Sequence, residues 1–218
     1  MDDGASLPIA LIVVSYIALL FSLCVHEAAH AVTSNWCGDP SARLLGRITL
    51  NPIMHADPIG TVAMPLLMMF SGIPFLFGWA KPVPVNPLNL KDPQRDQVLI
   101  ALAGPLSNIL LLVLTAIAAR VSIFVGATVS NDSPLFILLA TMLGINFILA
   151  VFNCIPVPPL DGHYVLNLFL PPEGQRMLQQ IGPFGILIAI LVSRPLFTRL
   201  DPLLTWIMQT AFGVGGTA

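Results

Sequence analysis

An all-α polytopic membrane protein is expected here, with about four to six transmembrane segments, a short membrane-associated β-hairpin or sheet and a re-entrant segment. Three observations lead there. Of 218 residues, 56% are hydrophobic and only 9% are charged, where a soluble domain carries roughly a quarter charged residues. Apolar runs occupy residues 8–34, 96–120 and 134–154, each long enough for a crossing that takes roughly 20 residues. A further run, 59–80, is broken by Pro65, Ser71-Gly72, Pro74 and Gly78 and has basic residues on both flanks. The length allows one compact bundle, so residues 1–218 are expected to form a single integral-membrane domain. The net charge of −2 says little about partners, and no basic tract suggests nucleic acid, so none is expected as a partner. Cys24, Cys37 and Cys154 have no C-x-x-C spacing and read as apolar fillers or loop thiols.

The first helix covers 8–34. Residues 7–23 imitate a signal peptide, but no Lys or Arg precedes them and no small-x-small site follows, so the segment is read as retained. Asp2 and Asp3 precede this helix while Arg43 and Arg47 follow it, which by the positive-inside rule puts the N-terminus outside. Cys37-Gly38-Asp39-Pro40 ends it. Residues 41–50 alternate loosely and are expected to form the strand or hairpin; 51–58 form a loop. A full crossing by 59–80 would place one basic flank outside, whereas a re-entrant excursion keeps Arg43, Arg47, Lys81, Lys91 and Arg95 on one side. Prolines extend 81–87. Spans at 96–120 and 134–154 flank a polar turn with Asn131 and Asp132. The prolines at 156, 158 and 159 then stop the helix before Asp161. Residues 164–170 restart a helix, 171–176 are a polar loop, 177–193 a last span and 201–214 a short apolar segment.

The chemistry is concentrated in His26-Glu27-Ala28-Ala29-His30. The chain holds four histidines and two glutamates, and three of those six residues lie in this pentad. Histidines four apart share one helix face, so both imidazoles can bind one metal while the intervening glutamate is placed to take a proton from water beside it. Ionisable groups inside a membrane helix are costly and mark function. A catalytic zinc takes three protein ligands, which leaves one to find among Asp161, Asp57, His55, His163 and Glu173. Asp161 is best placed by topology: one span out and one back return it to the membrane side of the histidines, provided 59–80 does not cross. Its competing reading is a plain Pro-Leu-Asp-Gly turn.

Three longer patterns carry a family resemblance. His26-Glu27-Ala28-Ala29-His30, Asn153-x-x-Pro156-x-x-x-x-Asp161-Gly162 and Ala103-Gly104-Pro105-Leu106-Ser107-Asn108 resemble the H-E-x-x-H, N-x-x-P-x-x-x-x-D-G and A-G-P motifs of the site-2 protease family of intramembrane zinc metalloproteases. Gly78 to Pro87 looks like its small single-domain members. The likeness covers roughly residues 15–170 and implies a metalloendopeptidase holding one zinc ion through His26, His30 and Asp161, with Glu27 as general base. It implies, too, a multi-pass protein of a prokaryotic cell membrane that cuts in or near transmembrane segments of other membrane proteins. Many relatives carry PDZ or CBS modules; no segment here is long and polar enough for either.

Around that core, Asn153 is placed to hydrogen-bond the oxyanion or the substrate backbone, against a reading as a helix-packing amide. Asn108 is a weaker candidate of the same kind, competing with helix–helix glue. His55 is a candidate donor beside the site, and His163 an interfacial group. Residues 42–50 or 82–86 could hold an unwound substrate as an edge strand. Two rival readings stand beside this one. A metal-binding protein or transporter would need polar residues along several spans, whereas here they cluster at one depth. An inactive scaffold of the same fold is opposed by the intact Glu27.

Overall fold

The computed structural model describes residues 9–71, 78–127 and 133–213. The acidic pair Asp2 and Asp3, the breaks expected at Gly72 and Pro74 and the turn at Asn131 and Asp132 lie outside these. Among the described residues, three helices are long and apolar enough to cross a membrane: α1 (Ile9–Cys37), α5 (Pro93–Phe124) and α6 (Pro134–Asn153). All three pack on one another. Between them in the chain lie α2 (Ser41–Leu44), α3 (Pro52–His55), a π-helical stretch (Pro58–Ala63) and α4 (Met64–Phe70); α7 (Gly162–Asn167) and α8 (Pro172–Phe212) follow α6.

Local sequence explains where the spans begin. Asp92 precedes Pro93 and accepts the Arg95 N–H at 3.2 Å; Ser133 precedes Pro134 and accepts the Phe136 N–H at 3.1 Å. Each pair is an N-cap followed by a proline whose missing N–H costs nothing at the first helical position. Small or polar residues face the bundle interior, among them Ala18, Ser22, Ala119 and Asn146, while Leu106, Ile109, Leu110, Val113, Leu114 and Ile117 of α5 are exposed. In water such a stripe would be anomalous; against lipid it is the ordinary outer face of a bundle held by close packing of small residues.

Several expectations are corrected. No strand occurs among the described residues, so the β-hairpin or sheet of 41–50 is absent. Asp39 instead accepts the Ser41 N–H and hydroxyl, Leu44 and Leu45 bond back to Pro40 and Ser41, and Gly46 closes the turn at φ +69°. The amides a hairpin would pair across strands are thus satisfied locally. The segment 82–86 is extended; residues 82 and 84 are prolines, and the Val83 and Asn86 N–H groups are held by Glu27 and Asp39. Among the described residues the candidate spans number three, below the expected four to six, or four if the bent α8 counts as one. Residues 171–176 are not a loop either. Pro172 and Glu173 suit a first helical turn, and α8 runs to a left-handed Gly213, bending by 90° between Gly182 and Phe184, where residue 183 is a proline.

The described ends of the segment 58–80 lie against each other. Trp79 N–H bonds to the Gly60 carbonyl (3.2 Å), Thr61 Oγ1 to the Trp79 carbonyl (2.9 Å), and Lys81 N–H to the His55 carbonyl (2.8 Å). A Cβ on Gly60 would lie 2.3 Å from the Trp79 ring, so glycine is what lets the two limbs touch.

The chain continues as a strap, residues 81–91, laid against the C-terminal part of α1. Two buried ionic groups pin it. The Arg47 guanidinium donates to the carbonyls of Met54, Lys81 and Pro82. The Asp39 carboxylate accepts from Ser34 Oγ, Asn89 Nδ2 (2.8 Å), the Asn86 N–H (2.7 Å) and Ser41. Burial alone would raise the Asp39 pKa, but these bonds, led by Asn89 and Ser41, bring it down to about 2. A depressed carboxylate contributes stability that is full above the unfolded value near 4 and is lost as pH falls through about 2. Asp39→Asn should therefore lower thermal stability at pH 7 and flatten the acid limb between pH 4 and pH 2, read from tryptophan fluorescence in detergent. An unchanged acid limb would remove Asp39 as the pin of the strap.

Candidate metal centre

Toward the C-terminal end of α1, the four-residue spacing puts His26 and His30 on one face, with Nε2 atoms 3.0 Å apart and both side chains buried. The other nitrogen of each ring is already engaged. His30 Nδ1 lies 2.6 Å from the Ile100 carbonyl, which can only accept, so His30 carries its proton there. His26 Nδ1 lies 2.7 Å from Asn108 Oδ1, which accepts in the same way. Both Nε2 atoms are therefore left with bare lone pairs directed at one place.

Asp161 completes the group. The chain leaves α6, turns through the proline-rich loop and returns the carboxylate to α1, with Oδ2 3.2 Å from His26 Nε2 and Oδ1 3.5 Å from His30 Nε2. One ligand atom from each residue lies within 4.8 Å of the other two. Oδ2 is buried and receives no hydrogen bond. Three acceptors without a donor between them repel unless a cation joins them, and two imidazole nitrogens with a carboxylate form a donor set that suits one. Gly104 of α5 makes the approach possible: a Cβ there would lie 2.4 Å from His30 Nε2 and 2.5 Å from His26 Nε2.

The three residues open onto a cavity of about 230 Å3 that Glu27, Val83, Asn153 and Tyr164 also line. Glu27 Oε2 accepts the Val83 N–H at 3.1 Å, which ties it to the strap. Asn153 gives one amide hydrogen to the Leu149 carbonyl at 2.9 Å. Asn108 stands behind His26 and does not line the cavity. His55 does not line it either; its Nε2 donates to the Thr49 carbonyl at 2.9 Å. Asp57 caps the π-helical stretch through the Ile59 and Gly60 N–H groups, His163 bonds to the Leu160 carbonyl and stacks on Tyr164, and Glu173 is exposed in the first turn of α8. Of the five candidates for a third ligand, the structure brings Asp161 alone to the histidines among the described residues. Sequence reasoning missed Gly104 as the point of closest approach, and missed Tyr164 and the strap as walls. The A-G-P pattern carried the signal for Gly104; nothing local marks Tyr164.

The chain is similar to known proteins over most of its length. It is 33% identical over 215 residues to a Bacillus subtilis protein named "Putative zinc metalloprotease YwhC", with 97% of this chain and 92% of that one covered. It is 30% identical over 177 residues to Rip2 of Mycolicibacterium smegmatis, and 31% identical over 173 residues to Rip2 of Mycobacterium tuberculosis, both named in the same terms. Each Rip2 match covers 79% of this chain and 63% of the relative. No family model matches the chain, and no solved structure matches it.

Gly104→Ala tests the close approach. Alanine is the better helix former by about 1 kcal/mol, so α5 itself should gain, yet the methyl group would displace both imidazoles. Cobalt titration followed by visible absorption should show divalent-metal affinity reduced by at least roughly tenfold, with helical circular dichroism unchanged. Wild-type cobalt affinity would mean the group does not hold the metal in this arrangement.

Proposed function

The chain belongs to the site-2 protease family of intramembrane zinc metalloproteases, and from that premise we propose that it is a zinc-dependent endopeptidase cutting peptide bonds in or beside transmembrane segments of membrane proteins. The observation that carries the reading is the convergence of His26, His30, Asp161 and Glu27 on one cavity. His26 Nε2, His30 Nε2 and a carboxylate oxygen of Asp161 would hold one zinc ion, the three-ligand arrangement of catalytic sites. Bound there, zinc would supply a Lewis acid and bring the pKa of water down to about 7.

Glu27 is the proposed general base. The Val83 N–H fixes one of its carboxylate oxygens, leaving the other to accept a proton from the attacking water. The same carboxyl then delivers that proton to the amide nitrogen, so that the new C–O bond forms and the C–N bond breaks with a neutral amine leaving. Asn153 has a second amide hydrogen beyond the one held by Leu149; we assign it to the substrate carbonyl oxygen. A peptide carbonyl inside an α-helix is tied to the N–H four residues on, so the substrate backbone enters unwound. With edge pairing to 82–86 disfavoured by its committed donors, the cavity walls rather than a sheet would hold the chain. The proposed setting is a prokaryotic cell membrane with the N-terminus outside, the whole activity residing in one integral-membrane domain.

Two variants separate the roles. Glu27→Gln should keep one zinc per chain yet lose at least roughly 10²–10⁴-fold of turnover. Asp161→Ala should lose both zinc and turnover, because a ligand and not a proton carrier is removed. Metal content after gentle detergent purification and cleavage of a reporter transmembrane peptide in proteoliposomes give the two readouts. An active, zinc-replete Asp161→Ala protein would overturn the ligand assignment; full turnover by Glu27→Gln would overturn the base.

A further inference from the structure

Behind His26 runs a chain of polar side chains buried in the bundle. Asn108 on α5, Asn146 on α6 and Ser22 on α1 are all fully buried, each at 0% exposure. Such groups are costly among apolar helices unless every one is partnered, and here each is. Asn146 Nδ2 donates to the Met142 carbonyl at 2.9 Å and to Ser22 Oγ at 3.0 Å. Asn108 Nδ2 donates to Asn146 Oδ1 at 3.0 Å and more weakly to the Ser22 carbonyl at 3.4 Å. Asn108 Oδ1 accepts from His26 Nδ1 at 2.7 Å.

The order of these bonds has a direction. A side-chain amide can turn over with almost no change of shape. The Met142 carbonyl can only accept, so it fixes the Asn146 amide with its oxygen toward Asn108. That oxygen can only accept, so it fixes the Asn108 amide with its oxygen toward His26. His26 must then carry its proton on Nδ1 and present a bare Nε2 to the cavity. Were Asn108 reversed, its NH2 group would face Nδ1, the proton would move to Nε2, and that nitrogen could bind no metal.

We propose that Asn146 is a positioning residue for the metal centre, holding the metal-binding tautomer of His26 through the amide of Asn108. The proposal rests on the reading of His26 as a ligand. It assigns a task to a residue of α6 that contributes no atom to the cavity. Partners behind a ligating histidine typically change metal affinity by 10–100-fold, and a tautomer lock belongs to that class.

The test uses the full chain in detergent, with zinc affinity measured by competition against a chelator. The metal-free protein labelled with ¹⁵N-histidine gives the tautomer of His26, assigned by its loss in His26→Gln. Asn146→Leu should weaken zinc by about 10–100-fold and bring up the Nε2–H tautomer. Asn146→Asp in its neutral form keeps a donor for Met142 and an acceptor for Asn108, and should restore both readouts. Leu143→Ala, a core change one turn away on α6, should lower thermal stability without moving either. Should Asn146→Leu not fold, Asn146→Ala is read in the same way, alanine being the best helix former. Unchanged zinc affinity and tautomer in the folded variant would overturn the proposal and leave Asn146 as packing. His26→Ala separates this from failure of the ligand reading: if it still binds zinc as wild type does, the ligand assignment falls, and if only Asn146→Leu binds normally, the relay alone falls.

Discussion

The centre exists because α5 can come closer to α1 at Gly104 than any side chain would allow. A Cβ there would fall within 2.5 Å of both imidazoles. With the gap closed, the Ile100 carbonyl and Asn108 amide of the same helix reach the outer nitrogens of His30 and His26. One helix therefore both makes room for the inward nitrogens and decides that they carry lone pairs. Asp161 then has two acceptors to face, and a cation becomes the natural partner of all three.

The opposite wall of the site is built on a different principle. The strap at 81–91 has no secondary structure except a single 3-10 turn at Pro87–Asn89, so its backbone groups need partners from elsewhere. Arg47 supplies donors to its first carbonyls and Asp39 supplies acceptors to its later amides. Between these two anchors, the Val83 N–H reaches Glu27. The buried charges of Arg47 and Asp39 are thus not an ion pair with each other. That of Arg47 is spread over backbone carbonyls and that of Asp39 over backbone and side-chain donors, which is how a buried charge is tolerated without a counter-ion. Glu27 inherits its orientation from this arrangement, and so does the mouth of the cavity.

The polar interior behind His26 ties the bundle to its chemistry. Ser22, Asn108 and Asn146 come from α1, α5 and α6, the three helices that form the core. In lipid, apolar surfaces give helices little reason to associate, and small residues with interhelical hydrogen bonds carry more of the work. The same bonds that hold the helices together here run to the metal-facing histidine, so packing and ligand geometry are not separable at this depth.

Much of this was legible before any coordinates. Long apolar runs define the spans, and the spacing of His26 and His30 fixes a shared face, because these depend only on neighbours along the chain. Asp161 could be singled out by counting crossings, though only among alternatives such as His55 and Asp57. The segment 41–50 misled, since loose alternation does not reveal that Asp39 and Pro40 would close its amides into a turn. The 171–176 stretch misled for a similar reason: its polar residues suit a helix start as well as a loop. What tertiary structure alone decided is which distant groups meet. Gly104 against two imidazoles, Val83 against Glu27 and Asn146 behind Asn108 are contacts between segments far apart in the chain, and no local pattern encodes a distance across a bundle.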